Sequence, residues 1–401
     1  MNVLLCPLAD PGYRYSSIAV GLELRRRGHA VRILEPAPGL PPITPPDLDP
    51  CLVHDLVDPR TFRVGRWFLH GLPQFQAVVR AARETRAEVL VTSLLCHGAL
   101  LAAEFLDLPV VVLGLAAHLW PYQAQLPGEP AGPELQREWR LGETGKAYQQ
   151  AREAAELPPR DDRAPQAVLS GSALLLRGDP AFEEPGAVLP DGIRHVGPCW
   201  WEPAAPPSEL GEIDERIRRV GKPVVYVHLG RSFGGTSLWP WLNETFRDGP
   251  FQAVVELGRS GAAQPDQGTD ILVVRKPWMS PLVDRADVVL TNATTSPVLA
   301  ALLGGRPLLV APAGGEQLVL GEACVRAGLA LRLPTAGGSG SGADGAESQH
   351  AGAVSGRGGG SELIAAVLAD RSIADRVRQV GERLRQSKSE AVAADAVEAA
   401  C

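Results

Sequence analysis

The chain has 401 residues, of which 45% are hydrophobic and 21% are charged, and its formal net charge is -7. Single hydrophobic cores stop growing at roughly 250 to 300 residues, so this length predicts two domains. The apolar content excludes a wholly disordered chain, and the acidic balance argues against a nucleic-acid partner, because binding phosphates needs a surplus of lysine and arginine.

The first residues predict a strand, a helix and a second strand. Residues 3–6 are apolar, residues 10–16 are rich in proline, glycine and polar side chains and predict a loop, and the amphipathic segment 17–27 predicts a helix. Three arginines close that helix, where positive charge favours the helix dipole, and Gly28 is a suitable C-cap. A β-prone segment at 30–34 completes a βαβ unit.

The alternation of strands and helices continues to about residue 200. Apolar runs at 89–92 and 110–113 flank a helical segment at 97–105, and a further run at 174–176 predicts a late strand of the same sheet. Repeated βα units predict a parallel sheet. We therefore expect an N-terminal Rossmann-like domain over residues 1–200.

A second domain is predicted after a change in composition. Residues 201–221 are rich in proline and glutamate and predict a linker. The βα pattern then restarts and predicts a second Rossmann-like domain over 222–385, in which the Gly/Ala/Ser-rich segment 336–361 reads as a flexible insertion. Residues 386–401 predict a C-terminal helix that packs on the N-terminal domain. The β-prone runs are 224–229, 253–257, 271–274, 288–291 and 308–311.

Signals for export, membrane insertion and metal binding are weak. No basic leader precedes the first strand, and no run approaches the roughly 18 apolar residues of a membrane span. We therefore expect a cytoplasmic protein without a membrane span. The cysteines lack zinc-type spacing and no carboxylate pair has the spacing for Mg²⁺, so we expect no metal. The sequence is compatible with a homodimer but does not fix the oligomeric state.

Several motifs resemble those of the family 1 glycosyltransferases of bacterial natural-product pathways. Residues 12–16 (GYRYS) and 26–31 (RRGHAV) have the spacing of the family's G-H-x-x-P and R-R-G-H-x-V motifs. Residues 195–198 (HVGP) resemble its F-V-G-P, and residues 225–231 (VYVHLGR) resemble its V-x-x-S-x-G-S. The motifs occur in the family's order along nearly the whole chain.

The longest match is to the family's donor-binding signature, over residues 278–328. In that signature, T-H-G-G-x-G-T ends a strand, E-A-L lies on the next helix, G-x-P precedes a second strand, and D-Q follows it. The matching segments here are 291–297 (TNATTSP), 300–302 (AAL), 305–307 (GRP) and 316–317 (EQ).

This resemblance implies an α/β protein of the GT-B fold, in which two Rossmann-like domains face each other across a cleft. It implies an inverting glycosyltransferase of the hexosyltransferase type, which moves a sugar from a UDP- or dTDP-sugar to a small-molecule acceptor in natural-product or antibiotic biosynthesis. The nucleotide sugar is then a co-substrate, and no further cofactor is expected.

The resemblance places the donor's diphosphate on the turn after residue 291. Backbone N–H groups and hydroxyls at the start of a helix can hold phosphate, although the same residue types also serve as simple helix caps. Arg231 and Ser232 stand in the opening loop of the second domain, where a guanidinium can bind phosphate or form a surface ion pair. The predicted turn residues are Asn292, Thr294, Thr295 and Ser296.

Two further segments match donor-binding positions. Trp278, with Met279 beside it, falls where the family stacks an aromatic ring on the nucleotide base, although a core tryptophan is the alternative. The pair that contacts sugar hydroxyls in the family is Glu316 and Gln317 here, and Gly314 and Gly315 precede it. A solvated loop is the alternative for these four residues.

The family's catalytic pair is replaced. Tyr13 stands at the position of the catalytic histidine, and Ser93 falls near the aspartate that orients it. A tyrosine with a pKa of about 10 is a poor base at neutral pH, which leaves His97 and His118, both after predicted strands, as alternative bases. An acidic acceptor that needs only positioning, or a catalytically silent GT-B-fold binding or accessory protein, also remains open.

Overall fold

A computed structural model describes residues 1–8, 10–36, 45–53, 71–124, 131–158, 165–228, 235–257, 265–334 and 359–401. Over this part, the chain divides into two compact units, one of Met1–Trp201 with Ser387–Cys401 and one of Glu202–Gln386. Each unit is built on a parallel β-sheet with helices between its strands. The predicted α/β class is therefore confirmed.

The first unit contains a sheet of seven described strands in the order β3-β2-β1-β4-β5-β6-β7, and its paired strands are parallel. The strand order reverses between the first and fourth strands, where a doubly wound sheet opens a crevice at the carboxyl ends of its strands. The strands are β1 (Asn2–Cys6), β2 (Ala30–Pro36), β3 (Asp49–Val53), β4 (Val89–Ser93), β5 (Val110–Leu113), β6 (Ala173–Leu176) and β7 (Ile193–His195).

The first helix begins at Pro11 and not at residue 17, so the predicted loop over 10–16 is wrong. Asp10 is its N-cap and accepts the N–H of Gly12 at 2.9 Å, and a proline at the first helical position is already set for helix. Tyr13 consequently lies in the first helical turn. The helices of this unit are α1 (Pro11–Arg26), α2 (Leu72–Thr85), α3 (His97–Leu106), α4 (Ala131–Ala154) and α5 (Pro165–Leu169), joined by the C-terminal helix α13 (Ser389–Ala399).

Two apolar layers cover the faces of the first sheet. Successive residues of β1 point to opposite faces, so Leu4 belongs to one buried cluster and Leu5 to the other. The second cluster includes Ile18 of α1 together with Ala393 and Val397 of α13. The C-terminal helix thus completes the core of the first unit.

The second unit contains a sheet of six described strands in the order β10-β9-β8-β11-β12-β13, and all of its described pairs are parallel. Its strands are β8 (Val224–His228), β9 (Gln252–Glu256), β10 (Ile271–Val274), β11 (Val288–Thr291), β12 (Leu308–Val310) and β13 (Ala330–Arg332). Its helices are α6 (Pro207–Val220), α7 (Trp239–Thr245), α8 (Ser280–Val283), α9 (Thr295–Leu303), α10 (Glu316–Arg326), α11 (Gly360–Ala369) and α12 (Arg371–Gln386).

Helix α6 occupies most of the segment predicted to be a linker. It begins with Pro207 at its first turn and ends at Gly221, whose φ of 71° is the left-handed conformation that closes a helix. Ile213 is buried on its inner side. Proline-rich composition therefore marked the start of a helix and not an open connection. Most of the predicted insertion at 336–361 lies outside the described residues, and α11 begins at its end.

In the part of the chain that the structure describes, no helix combines the length and the apolar composition that crossing a membrane requires.

Candidate functional site

The turn between β11 and α9 is held by its own side chains. Ala293 has a φ of 63°, in the left-handed region that favours glycine. The Thr291 hydroxyl accepts the N–H of Ala293 at 3.2 Å. This turn lies at the carboxyl edge of the second sheet, the edge at which α/β folds bind ligands.

Asn292 shapes the turn from inside. Its side chain is buried, and its Oδ1 accepts the hydroxyl of Thr294 at 3.2 Å. Thr294 is the N-cap of α9 but makes no side-chain bond to the helix, and Ser296 in the first turn is half-buried. The amino end of α9 is thus open to an acceptor from another segment.

Glu316 supplies that acceptor. Its Oε1 accepts the N–H of Thr295 at 3.3 Å, and its Oε2 accepts the Thr295 hydroxyl at 3.1 Å. Gly315, directly before it, has φ 58° and ψ -139°, a conformation restricted almost to glycine. Since β11 and β12 are neighbours, the two segments predicted separately as donor-binding meet at one edge.

Gln317 turns inward. Gln317 is 2% exposed, and its side-chain Oε1 accepts the N–H of Ala313 at 2.9 Å. The backbone N–H of Gln317 donates to the carbonyl of Gly314 at 3.2 Å. The Gln317 side chain thus uses its Oε1 to close its own loop, and its contact with a sugar stays a prediction.

Trp278 is a core residue in this structure. It follows β10 and is only 2% exposed, with the ammonium of Lys276 at 5.9 Å from its ring centre. The Glu202 carboxylate accepts the N–H groups of Met279 at 3.0 Å and Ser280 at 2.9 Å, and burial raises the pKa of Glu202. This burial matches the alternative of a core tryptophan, and the stacking of a nucleotide base on Trp278 stays a prediction.

His228 was not predicted as a site residue, and it ends β8 beside the turn at 292–296. Its Cα pairs in register with Thr291 on one side and with Glu256 on the other. Burial lowers the pKa of His228 to about 4, so the imidazole is neutral at pH 7. The available signal was a histidine at the serine position of V-x-x-S-x-G-S. Arg231 and Ser232, predicted in the same loop, lie outside the described residues.

Tyr13 and Ser93 lie at the carboxyl edge of the first sheet, where β1 and β4 are neighbours. Tyr13 is half-buried, whereas Ser93 is 1% exposed and its Oγ accepts the N–H of Leu8 at 3.4 Å. Arg14 forms a buried ion pair with Glu35 at the end of β2. Ser93 therefore links the segment after β1 to the end of β4. Of these two predicted catalytic residues, Tyr13 is the one that is partly exposed.

His97 and His118 lie in the interior of the first unit. His97 begins α3, is completely buried, and its ring lies 5.8 Å from the ring of Tyr148. His118 is 1% exposed, and its Nε2 lies 3.3 Å from the carbonyl oxygen of Pro121. Burial lowers the pKa of each histidine to about 4. A base must come within hydrogen-bond reach of the acceptor hydroxyl, so the burial of both histidines argues against that role, which stays a prediction for each.

A buried polar cluster joins the segments that follow β5 and β6 to the end of β7. We call it the Glu183 cluster: Glu183, His195, His118, Tyr122 and Arg137. Glu183 Oε1 lies 2.9 Å from His195 Nε2 and accepts the His118 N–H at 2.9 Å. Its Oε2 accepts the Tyr122 hydroxyl at 2.9 Å, and Tyr122 in turn accepts from Arg137 at 2.9 Å.

Burial alone would raise the pKa of Glu183. The hydrogen bond and charge of His195, with the donors on His118 and Tyr122, outweigh burial and lower that pKa. The cluster therefore holds an ionised carboxylate that positions three loops. Its members are far apart in the sequence, so no local pattern revealed it.

Within the described ranges, no group of three or more histidine, cysteine, aspartate or glutamate residues is placed to hold a metal ion.

No protein-family model matches the chain, and no curated protein matches it in sequence. Solved structures match it over its whole length. The glycotransferase of kitacinnamycin has a TM-score of 0.68 at 17% identity, covering 100% of this chain and 98% of that one. The spinosyn rhamnosyltransferase SpnG has a TM-score of 0.63 at 18% identity, covering 99% of this chain and 100% of that one. The glycosyltransferase SnogD from Streptomyces nogalater has a TM-score of 0.59 at 18% identity, covering 100% of this chain and 99% of that one.

At this level of identity, the likeness is one of fold. The compared chains are natural-product glycosyltransferases, and both units of this chain are included in each alignment. The chain therefore has the GT-B fold, the two-domain α/β architecture of these glycosyltransferases.

Proposed function

We propose that the chain is an inverting family 1 glycosyltransferase that transfers a hexose-type sugar from a UDP- or dTDP-sugar to a small-molecule acceptor of natural-product biosynthesis. One observation carries the proposal. The turn at 292–296 and the loop that ends in Glu316 meet at the carboxyl edge of the second sheet, at the amino end of a helix.

The chemistry of this edge suits a diphosphate leaving group. The first turn of α9 offers backbone N–H groups and the positive end of the helix dipole, and Thr294 and Ser296 add half-buried hydroxyls. Donors that are already in place stabilise the charge that grows on the diphosphate as the sugar leaves. SpnG has been solved with thymidine diphosphate, which supports testing TDP first.

We further propose that the acceptor is acidic or intrinsically nucleophilic. His97 and His118 are interior, and Tyr13 has the wrong acidity for a base at neutral pH. An acceptor hydroxyl that ionises readily needs only to be held in line with the anomeric carbon. SpnG has also been solved with the spinosyn aglycone, an acceptor-type small molecule.

Calorimetric titration with TDP, UDP and GDP tests the donor site, and mass spectrometry of mixtures with donor sugars and acceptors tests transfer. Ser296→Ala removes a hydroxyl of the turn, and we expect about a ten- to hundredfold loss of affinity for the preferred nucleotide, since hydrogen bonds to charged groups contribute roughly 1.5 to 3 kcal/mol. Thr269→Ala is the control, because that hydroxyl bonds the carbonyl of Asp266 in a loop of the same unit.

Binding of none of the three nucleotides would favour a catalytically silent binding or accessory protein. If Ser296→Ala leaves the affinity for the nucleotide unchanged, the donor does not bind at this turn.

A further inference from the structure

We infer that Glu316 is an internal anion that competes with the donor's diphosphate for the amino end of α9, and that it thereby sets the affinity for the nucleotide. The inference rests on the donor site proposed above and concerns the regulation of that site.

The carboxylate uses the donors that a phosphate would use. Thr295 is the first residue of α9, and both its N–H and its hydroxyl donate to Glu316. Because the N-cap residue Thr294 makes no capping bond, Glu316 performs the cap's role from 21 residues away. Carboxylates and phosphates both favour the positive end of a helix, so the two anions seek one position.

The loop around Glu316 aims it at α9. Gly315 adopts a conformation that other residues rarely reach, which turns the chain sharply at the start of α10. Gln317, next to Glu316, is anchored on the N–H of Ala313. These two neighbours fix the direction in which the Glu316 side chain leaves the backbone.

The Glu316 carboxylate is held at Thr295 by bonds to neutral donors. These hydrogen bonds measure 3.3 and 3.1 Å, longer than the roughly 2.7 to 2.9 Å common between two charged groups. A diphosphate at the same N–H would bring like charges close together, where they repel each other. The carboxylate must therefore leave when the nucleotide arrives.

A nucleoside diphosphate without sugar distinguishes this role from a contact with sugar hydroxyls. If Glu316 acted only on the sugar, its replacement would leave the affinity for free TDP or UDP unchanged. If it occupies the phosphate position, removing its charge frees the site. We expect Glu316→Gln and Glu316→Ala to bind the nucleotide about three- to tenfold more tightly, the range set by charge at a helix end.

The experiment is calorimetric titration of TDP and UDP into the full chain and its variants at one salt concentration. Glu316→Gln keeps the side-chain shape, and Glu316→Ala also removes its remaining hydrogen-bonding atoms. The control is Glu322→Gln, which removes an exposed carboxylate from the same helix, where it lies 3.5 Å from Arg332, and should change the affinity less than twofold.

Tighter binding by both Glu316 variants, with the control unchanged, supports the inference. Equal or weaker binding by both variants overturns it while leaving the proposed donor site intact. If neither the parent chain nor any variant binds a nucleotide, the proposed function fails and the inference fails with it.

Discussion

Ala293 carries the backbone strain of the donor turn. Its φ of 63° places Cβ close to the following carbonyl oxygen, which costs an L-residue roughly 1 to 2 kcal/mol. The glycosyltransferases that this chain resembles in sequence have glycine in the corresponding turn. The side chain is completely buried, so the methyl group also contributes packing.

We predict that Ala293→Gly changes the free energy of unfolding by less than about 1 kcal/mol, because relief of strain offsets the lost methyl contact and the added freedom of the unfolded chain. Ala300→Gly, at a buried position inside α9, should cost about 2 kcal/mol, since no strain is relieved there. Urea unfolding of both variants checks this. Equal destabilisation by the two substitutions would show that Ala293 is not strained.

His97 predicts a pH dependence of stability. Its pKa of about 4 in the folded protein lies below the ordinary value of 6.5, so the unfolded chain binds more protons between these values. The sign follows: stability contributed by the neutral imidazole is present above pH 6.5 and is lost as the pH falls towards 4. At pH 5, one such histidine lowers the free energy of unfolding by about 2 kcal/mol.

We predict that His97→Phe keeps the edge contact with Tyr148 and reduces, by about 2 kcal/mol, the stability lost between pH 7 and pH 5. Urea unfolding at the two pH values measures the difference. The comparison at pH 7 is the control for simple loss of packing. If parent and variant lose the same stability on acidification, His97 does not titrate as its burial implies.

At the scale of secondary structure, the strands were the most predictable elements. Most are short apolar runs because both faces of a parallel sheet are covered. Strand β3 (Asp49–Val53) was missed, since it contains the pair Asp49-Pro50 and a second aspartate-proline pair follows at 58–59, which together suggest a turn. Helix α4 (Ala131–Ala154) was missed because its sequence is mostly polar and its apolar residues follow no clear stripe.

Contacts between elements were not readable from the sequence. The motif spacing identified both the turn at 292–296 and Glu316, but their contact depends on β11 and β12 being neighbours. Burial was equally hidden, because His97 follows a strand as a catalytic residue would, yet its helix turns it into the core. The sequence predicted which loops reach the edge, and tertiary packing decided which side chains face it.

The C-terminal helix α13 is fastened to α1 by one arginine. The Arg27 guanidinium donates to Asp395 at 2.6 Å, to Glu398 at 2.7 Å and to the carbonyl of Ala391 at 2.9 Å. The hydrogen bonds to Asp395, to Glu23 of α1 and to Glu398 raise the pKa of Arg27. The neighbouring Arg26 is 72% exposed and pairs with Glu23 within its own helix.

In the parent chain, local opening of α13 breaks two ion pairs and a hydrogen bond that Arg27 makes. Arg27→Ala removes this cost of opening, so we predict that amide hydrogen exchange in residues 389–399 becomes about tenfold faster. Arg26→Ala is the matched control and should leave exchange there unchanged. Exchange followed by mass spectrometry gives both results. Unchanged protection in the Arg27 variant would assign the docking of α13 to its apolar face and to the remaining contact of Glu398 with His29 at 2.7 Å.

At the scale of the whole molecule, fold and function are separable. The solved glycosyltransferases share the architecture at 14 to 19% identity, and a fold by itself carries no chemistry. This chain has no glycine at residues 292–296, and it has Tyr13 where the motif it resembles, G-H-x-x-P, has histidine. If the proposed function holds, the reactivity has to come from the acceptor.

We predict that acceptors with acidic hydroxyls, such as phenols, are glycosylated and that simple aliphatic alcohols are not. Below the pKa of the acceptor, kcat/KM should rise about tenfold per pH unit, because the ionised fraction of the acceptor limits the rate. A series of substituted phenols of different acidity checks this. Efficient transfer to an aliphatic alcohol at neutral pH would point to a general base in the protein.

A crystal structure of the full chain with TDP bound would show whether the amino end of α9 receives the donor's diphosphate. We predict the diphosphate within hydrogen-bond distance of the Thr295 N–H, with the Glu316 carboxylate turned away from it. A nucleotide bound elsewhere, with Glu316 still hydrogen-bonded to Thr295, would contradict this prediction.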